Sequence, residues 1–549
     1  MECLNRFYSL SMDLTGEHDY IVVGSGCTGA MAAQTLIEKG VKVLMLDAGE
    51  YDDTYSKITP QKSFTDIHEH DTDQYKYWLG KDFEGITTGK TGTGAQLTPA
   101  RKFVMRNADK YLPILSESFF PMESLSYGGL GNAWGVGCCV FSPKELEAAG
   151  LPVDKMQSAY QVIADRIGIS AEQDDATSYT AEGLKNLQKP TDIDSNSKKI
   201  YSKYKNKKAS LNKNGFYMGK PALALLTERK EDRGVADYNE MDFYSDNGAA
   251  YRPWLTVNQL KKKSNFQYAA NAVVLSFSNE GDIVAVSYLD KNTDEKKTIK
   301  CKKLILCAST LSTARIVLRS MGDIAKRLPL LCDPYKYFTL LQPSMLGKAS
   351  NEPRTAFAQL SLFHDPKHDN FDVAAASLYS YRSLMLFRTI KEVPLNFRDG
   401  RKIMQYLLPA ISVLGVHHPD SMTDKKFIEL IKDTTSITGD ILKAEFKLST
   451  KEQNKIEKRE KQYSSAMRKL GCYTLKKINP GFGASIHYAG TLPFSDNANP
   501  FSLNQDGRLN GAKNVFAADG SGFKYLPAKG ITLSIMAYAH LTALNALNQ

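Results

Sequence analysis

The sequence predicts an α/β fold in which a parallel-sheet domain is interrupted by an inserted α+β region. Three observations predict it. The N-terminal part reads strand, glycine turn, helix, strand. A short apolar strand, an acidic turn and a long helical stretch return near residue 514, close to the other end of the chain. Between them, a length of 549 residues leaves room for several layers of core.

The N-terminal unit comes first. Residues 19–23 read as a buried strand that runs straight into Gly24-Ser25-Gly26-Cys27-Thr28-Gly29. Residues 30–39 have helical composition, and 41–46 form a second apolar strand ending at Asp47. A glycine turn between strand and helix, with an acid closing the second strand, is the Rossmann-like dinucleotide-binding pattern. Gly24 permits the tight turn, Gly26 lets the backbone approach a pyrophosphate, and Gly29 lets the helix pack closely on the strand. Amides at the helix start meet the phosphate charge. Asp47 can accept hydrogen bonds from both hydroxyls of an adenosine ribose. These residues call for a dinucleotide without choosing between FAD and NAD.

The far end makes that choice. Residues 514–518 form a short apolar strand leading into Asp519-Gly520-Ser521, and a helical segment at 531–547 follows. In flavoproteins with an N-terminal unit of this kind, a late strand and acidic turn return to the ribityl chain. The last helix then aims its N-terminus at the N1–C2=O edge of the ring, where its dipole stabilises reduced flavin. On that pattern the cofactor is FAD, with Asp519, Gly520 and Thr532 beside it.

Composition excludes more than it assigns. A hydrophobic content of 42% and a charged content of 24% describe an ordinary globular chain. The net charge of +10 comes partly from Lys198, Lys199, Lys203, Lys205, Lys207, Lys208 and Lys261 to Lys263. A solvated face accounts for such runs, and no nucleic-acid-binding signature accompanies them, so no nucleic-acid partner is expected. The eight cysteines include no CxxC pair and sit mostly in apolar contexts, as reduced thiols of a cytoplasmic protein would. No signal-peptide-like stretch opens the sequence, and no segment reaches the ~18–20 apolar residues of a transmembrane helix.

Four ordered landmarks resemble the glucose–methanol–choline (GMC) oxidoreductase family. Residues 19–50 are similar to its FAD fingerprint, and SYGGLGNAWG at 126–135 to its glycine-rich segment alongside the flavin, above all in the pyranose oxidase branch. Residues 265–277 followed by 303–315 resemble its central strand pair and the stretch after it. IHYAGT at 486–491, with ADGS at 518–521, resembles its catalytic element. Residues from about 151 to 245 and from 330 to 470 carry no such likeness.

The resemblance implies FAD-binding parts at 16–150, 251–330 and 471–549, with substrate segments at 151–250 and 331–470. It also implies cofactor contacts from Gly129, Asn132, Ala133 and Val274. The branch that tethers FAD covalently has a histidine where this chain has Ala133, so non-covalent FAD is expected. Ser309 replaces a usual glycine, a change expected to leave the fold alone. Family members place a second His or Asn just before the final helix, where this chain has Gly530 with Lys529 beside it.

Oxidising an alcohol with a flavin moves a hydride off carbon, which requires the hydroxyl to lose its proton. A neutral imidazole suits that role. His487 is the candidate base, the other reading being a core histidine bonded to a backbone carbonyl. Lys529 can take the place of the missing His or Asn at the substrate oxygen or reduced flavin, or face solvent as a loop lysine. Asn132 can face the flavin or serve as a turn residue. His364 and His368 are spaced i,i+4, but Pro366 between them argues against one helix presenting both. His68-Glu69-His70 and His417-His418 lack further ligands at recognisable spacings, so no metal site is expected. Cys138-Cys139 reads as a buried packing pair or a redox pair.

Residues 377–415 interleave Tyr379, Tyr381, Leu384, Leu386, Phe387, Ile390 and Tyr406 with Arg382, Arg388, Arg398, Arg401 and Lys402. That mixture suits a membrane headgroup region or a lipid-linked substrate, and equally a cap helix, a subunit interface or a pocket for an anionic sugar. Residues 451–461 alternate charge signs and read as an exposed helix. The expected function is FAD-dependent oxidation of an alcohol group on a small molecule or glycoconjugate, a sugar or polyol by the likeness at 126–135. The electron acceptor stays open between oxygen and another carrier. The absent second His or Asn keeps open a non-redox flavoprotein, a lyase or isomerase, on the same scaffold. A non-catalytic partner subunit is a third reading, against which the intact glycines, Asp47 and His487 count.

Overall fold

The structure, a computed structural model, describes residues 17–60, 62, 66–67, 70–84, 97–236, 248–348, 357–380, 396–497 and 499–549. Cys3, His68, Glu69, Tyr381, Arg382, Leu384, Leu386, Phe387, Arg388 and Ile390 lie outside the described residues. Among the described residues no helix is long and apolar enough to cross a membrane. The architecture is mixed α/β with several sheets, two of which line a common cavity.

Tyr20, Ile21, Val22 and Val23 are apolar at every position and buried, which suits a strand covered on both faces of a parallel sheet. They belong to β1 (Glu17–Val23), which runs parallel to β2 (Val43–Leu46) on one side and to Glu295–Leu306 on the other. Phe266–Ala269 extends the sheet beyond β2, and Val515–Ala517 pairs parallel with residues 304–306. The long strand Glu295–Leu306 has a second partner. Its first half pairs antiparallel with Ile283–Asp290, which pairs in turn with Ala272–Glu280.

Helix α1 (Cys27–Glu38) joins β1 to β2. Its small residues Ala30, Ala32 and Ala33 are fully buried, and the C-terminal helix Thr532–Asn548 packs beside it.

The second large sheet is antiparallel throughout, in the order Tyr473–Ile478, Tyr335–Leu341, Ile411–His417, Ala374–Ser380, Leu360–His364, Phe216–Gly219. Period-two alternation sorts its side chains. Phe338, Leu340, Leu362, Ala376, Leu414 and Val416 enter a core shared with the helices Ser195–Lys213 and Thr450–Lys469. Their neighbours Tyr335, Tyr337, Thr339, Ser361, Phe363, Ser377, Tyr379, Val413 and His417 fall on the other face and line the cavity.

Both covering helices begin at defined caps. Asp194 accepts from the Ser197 amide, and Ser449 forms a capping box with Glu452. Thr450–Lys469 is more than an exposed charged helix, because Ile456, Tyr463 and Met467 anchor one face. Lys198, Lys205, Lys207 and Lys208 lie exposed on Ser195–Lys213, as a solvated face requires.

Candidate functional site

The glycine turn is built as its spacing demands. Gly24 has φ +97°, and a Cβ there would lie 2.7 Å from the Cys307 carbonyl oxygen. At Gly29 a Cβ would stand 1.9 Å from the Gly24 oxygen, so helix and strand could not close with any other residue. Gly26 differs. It is the N-cap of α1, with no side-chain cap, and a Cβ there would have its nearest neighbour at 4.0 Å. The first amides of α1 are therefore left without side-chain acceptors at the cavity edge.

Asp47 is buried, and burial pushes its pKa up. Its Oδ2 accepts from the Ser25 hydroxyl at 2.6 Å and the Tyr268 hydroxyl at 2.8 Å, and its Oδ1 from the Ser25 amide at 3.2 Å. A carboxylate offers about four lone-pair positions. One at Oδ1 remains for a ribose hydroxyl.

The cavity has a volume of about 610 Å³. Gly24, Gly26, Asp47, Gly129, Ala133, Val274, Asp519, Gly520 and Thr532 line it, and so does His487. Asp519 is buried and accepts from the Thr313 hydroxyl at 2.6 Å. The C-terminal helix starts at Thr532 with no side-chain cap, so a second helix N-terminus opens on the same space. Gly29 acts from behind, in the helix–strand contact. Asn132 is not part of the lining. Its amide donates to the Tyr127 carbonyl at 2.8 Å and to the Ser126 hydroxyl at 3.2 Å, which makes it the turn residue.

His487 meets two partners that sequence spacing did not connect to it. The short strand Leu331–Cys332 pairs antiparallel with Tyr488–Ala489, Cys332 opposite Tyr488. The next step along that ladder brings Asp333 to His487, and Asp333 Oδ2 lies 3.0 Å from His487 Nδ1. Two residues on, Tyr335 enters the antiparallel sheet opposite His417. His417 Nδ1 then lies 3.6 Å from the same Oδ2. The two imidazoles stack with centroids 5.1 Å apart, and Tyr335 stacks on His417 at 4.1 Å. His417 thus has partners that no recognisable sequence spacing announced. Antiparallel register supplies them from 84 positions upstream and 70 downstream.

The segment carrying Asp333 is tied down. The Cys332 amide donates to Asp420 Oδ2 at 3.0 Å, and Asp420 pairs with the buried Lys426 at 2.5 Å. Burial pushes Asp333 up to about 8 against the pull of His417, and pushes His487 down to about 4. It also holds His417 below its ordinary value, opposed by Asp333. All three shift toward their uncharged forms for one reason, the loss of water around them.

Lys529 does not reach the cavity. Its ammonium donates to Glu145 Oε2 at 2.7 Å, Asn370 Oδ1 at 2.8 Å and the Val140 carbonyl at 3.3 Å. Three partners use its three protons, and both charged side chains are completely buried. The expectation that Lys529 contacts substrate or flavin is corrected accordingly: it braces the loop that presents Gly530 to the cavity. Ser309 also lines the cavity and keeps a glycine-like backbone, with φ 75° and ψ 150°.

The remaining histidines separate. His364 is buried against Phe216, with centroids 4.4 Å apart, whereas His368 hydrogen-bonds Tyr217. Cys138 and Cys139 are free thiols at the cavity wall, and burial raises both, Cys139 to about 11. Neither is held as a thiolate.

No family model matches the chain, and no curated protein matches it in sequence. Among solved structures, pyridoxine 4-oxidase from Mesorbium loti matches it with a TM-score of 0.58. That match covers 97% of this chain and 100% of that one, at 14% identity. At that identity the likeness lies in the fold, over the whole length of both chains.

Proposed function

We propose that the protein is an FAD-dependent oxidoreductase of the GMC type that oxidises an uncharged alcohol, with His487 taking the hydroxyl proton. One observation carries the reading: the same cavity is lined by the glycine turn, Asp47, Asp519, the start of the C-terminal helix and His487. The residues present fit FAD. Gly26 leaves room for a close backbone approach, Asp47 keeps an acceptor position free, and two uncapped helix starts face the space. Fold likeness to an enzyme whose name makes it an oxidase acting on pyridoxine agrees with this.

Bound FAD supplies the hydride acceptor. The chain does the rest. The first amides of α1 hold the pyrophosphate, and Asp47 holds the adenosine ribose. The N-terminus of Thr532–Asn548 favours negative charge where it points. His487, anchored through Nδ1 by Asp333, offers Nε2 to the substrate hydroxyl. Ala133 gives no nucleophile where the covalent branch has its histidine, which supports FAD held without a covalent bond.

The antiparallel sheet supports an uncharged polyol or sugar as substrate. Its wall combines the aromatic faces of Tyr335, Tyr337 and Tyr379 with the hydroxyls of Thr339, Ser361 and Ser377. Among the described residues, no Asp, Glu, Lys or Arg of that sheet lines the cavity. Aromatic faces and neutral hydroxyls suit the two sides of a sugar ring.

The test is anaerobic mixing of the purified yellow protein with neutral sugars and polyols, following flavin absorbance. Bleaching with one of them is expected. Ligands that perturb the flavin spectrum yet never bleach it would favour a lyase or isomerase. A colourless protein that takes up no FAD would sink the reading altogether.

A further inference from the structure

We propose that His417 is a second catalytic residue, donating a hydrogen bond to the substrate oxygen while His487 takes its proton, and that Asp333 is the positioning residue for both rings. The inference rests on the oxidoreductase reading above and adds to it a residue that no local motif marks.

Three observations carry it. The first is placement. His417 ends the strand Ile411–His417, on the face whose side chains line the cavity, and its ring stacks on that of His487. The second is the shared carboxylate. Asp333 Oδ2 faces Nδ1 of both rings, so the Nε2 edge of each points away from it. The third is the inequality of the two contacts.

At 3.0 Å the His487 contact is a hydrogen bond, and with Asp333 ionised it fixes the His487 proton on Nδ1 and leaves Nε2 with a lone pair. At 3.6 Å the His417 contact is longer, a charge contact with Asp333 and not a well-formed hydrogen bond. The carboxylate then holds a proton on His417 Nδ1 less firmly than on His487, and carried on Nε2 that proton becomes a donor. The shared carboxylate thus favours different tautomers on the two rings.

The step balances. With FAD held in the cavity as hydride acceptor, the substrate C–H bond would break with its electron pair leaving as hydride, and the O–H bond would break with its proton passing to His487 Nε2. The carbonyl double bond forms between that carbon and oxygen. Negative charge gathering on the oxygen meets the His417 N–H, and the imidazolium forming at His487 meets the Asp333 carboxylate. Tyr335, stacked on His417, keeps the second ring in register.

The test compares His417→Ala, His417→Asn and Asp333→Asn with the parent holoprotein. His417→Ala is expected to keep its FAD and its substrate Kd while flavin reduction slows about 100-fold, the usual loss for one such donor. His417→Asn, which restores an N–H, is expected to recover about tenfold of that. The second readout needs no turnover. Nitrogen NMR of 15N-histidine-labelled protein is expected to show His417 as the Nε2–H tautomer and His487 as the Nδ1–H tautomer above pH 8. In Asp333→Asn the His487 assignment is expected to be lost.

Wild-type reduction rates in His417→Ala would overturn the proposal. So would a His417 Nδ1–H tautomer, or a stoichiometric transition metal in the parent protein that disappears in the His417 variants. A parent protein that bleaches with no alcohol sinks the oxidoreductase reading instead, and the two tautomers then decide separately whether the rings differ as described.

Discussion

The two walls of the cavity are made by different kinds of constraint. On the side of the glycine turn, the defining residues sit within a few positions of one another, and backbone geometry dictates them: only glycine fits at 24 and 29. On the sheet side, His487 and Asp333 are 154 positions apart, and nothing about their neighbours in sequence requires either. One wall is specified by what the backbone forbids, the other by which strands lie opposite. A site can thus be half announced and half silent in a single chain.

The comparison is sharpened most by His487→Ala. Flavin reduction is expected to fall by about 10²–10⁴-fold while FAD content stays at the parent value, since the proposed base sits on one wall and the proposed cofactor cradle on the other. Stopped-flow absorbance and the ratio of flavin to protein check both halves. A variant that loses its FAD would break the division of labour.

Next in size is Lys529→Met. Removing one member of a fully buried ion pair leaves Glu145 uncompensated, and a loss of about 3–5 kcal/mol is expected in urea unfolding. The folded fraction should still reduce its flavin at the parent rate, because Lys529 braces the loop without touching the cavity. A large rate loss with unchanged stability would put Lys529 back among the reacting groups.

The third effect is a pH dependence. Asp333, raised from 3.8 to about 8 by burial, must ionise before His487 holds its proton on Nδ1, so flavin reduction is expected to climb as pH rises through about 8. The groups acting on it are His417, His487 and Asp420. For stability the sign runs the other way. The folded chain keeps a proton the unfolded chain has lost, so this contribution is full below pH 3.8 and gone once pH has risen through about 8. His487, lowered from 6.5 to about 4, contributes above pH 6.5 and loses that contribution as pH falls through about 4. Asp333→Asn is therefore expected to be more stable than the parent at pH 8 while less active, by thermal melts and reduction rates. Flat profiles for both quantities would remove Asp333 from the site.

The smallest effect belongs to Ser309→Gly. A φ of 75° with ψ of 150° is glycine territory, and relieving it is expected to add about 1 kcal/mol after the entropy of the unfolded glycine is set against it. A lower melting temperature would mean that the serine side chain earns its strained backbone.

How far the chain could be read follows from these constraints. The unit β1–α1–β2, the returning strand Val515–Ala517 and the C-terminal helix were legible, because buried parallel strands and tight glycine turns tolerate few residues. His487 was legible as a candidate through its immediate neighbours. Lys529 and Asn132 were harder, since a loop residue beside a cofactor motif looks the same whether its side chain turns in or out. Burial against Glu145 decided one, and the Tyr127 carbonyl decided the other. His417 could not have been found by spacing. Its only signal is the alternation of its strand, with Leu414 and Val416 on the core face and Val413 and His417 opposite, which becomes informative once the strand's partners are known.

The passage through Asp333, Pro334 and Tyr335 has a further consequence. There the chain leaves one ladder for another, and both registers must be correct for the carboxylate to serve both rings. A slip of one residue in Ile411–His417 would turn His417 toward the helices and put Val416 in the cavity, and it would take Leu414 out of the core as well. The apolar face that holds the strand on its helices is therefore the same device that aims His417 into the cavity. Core packing and site geometry are thus secured by one alternation of side chains, and a change that loosens the first displaces the second.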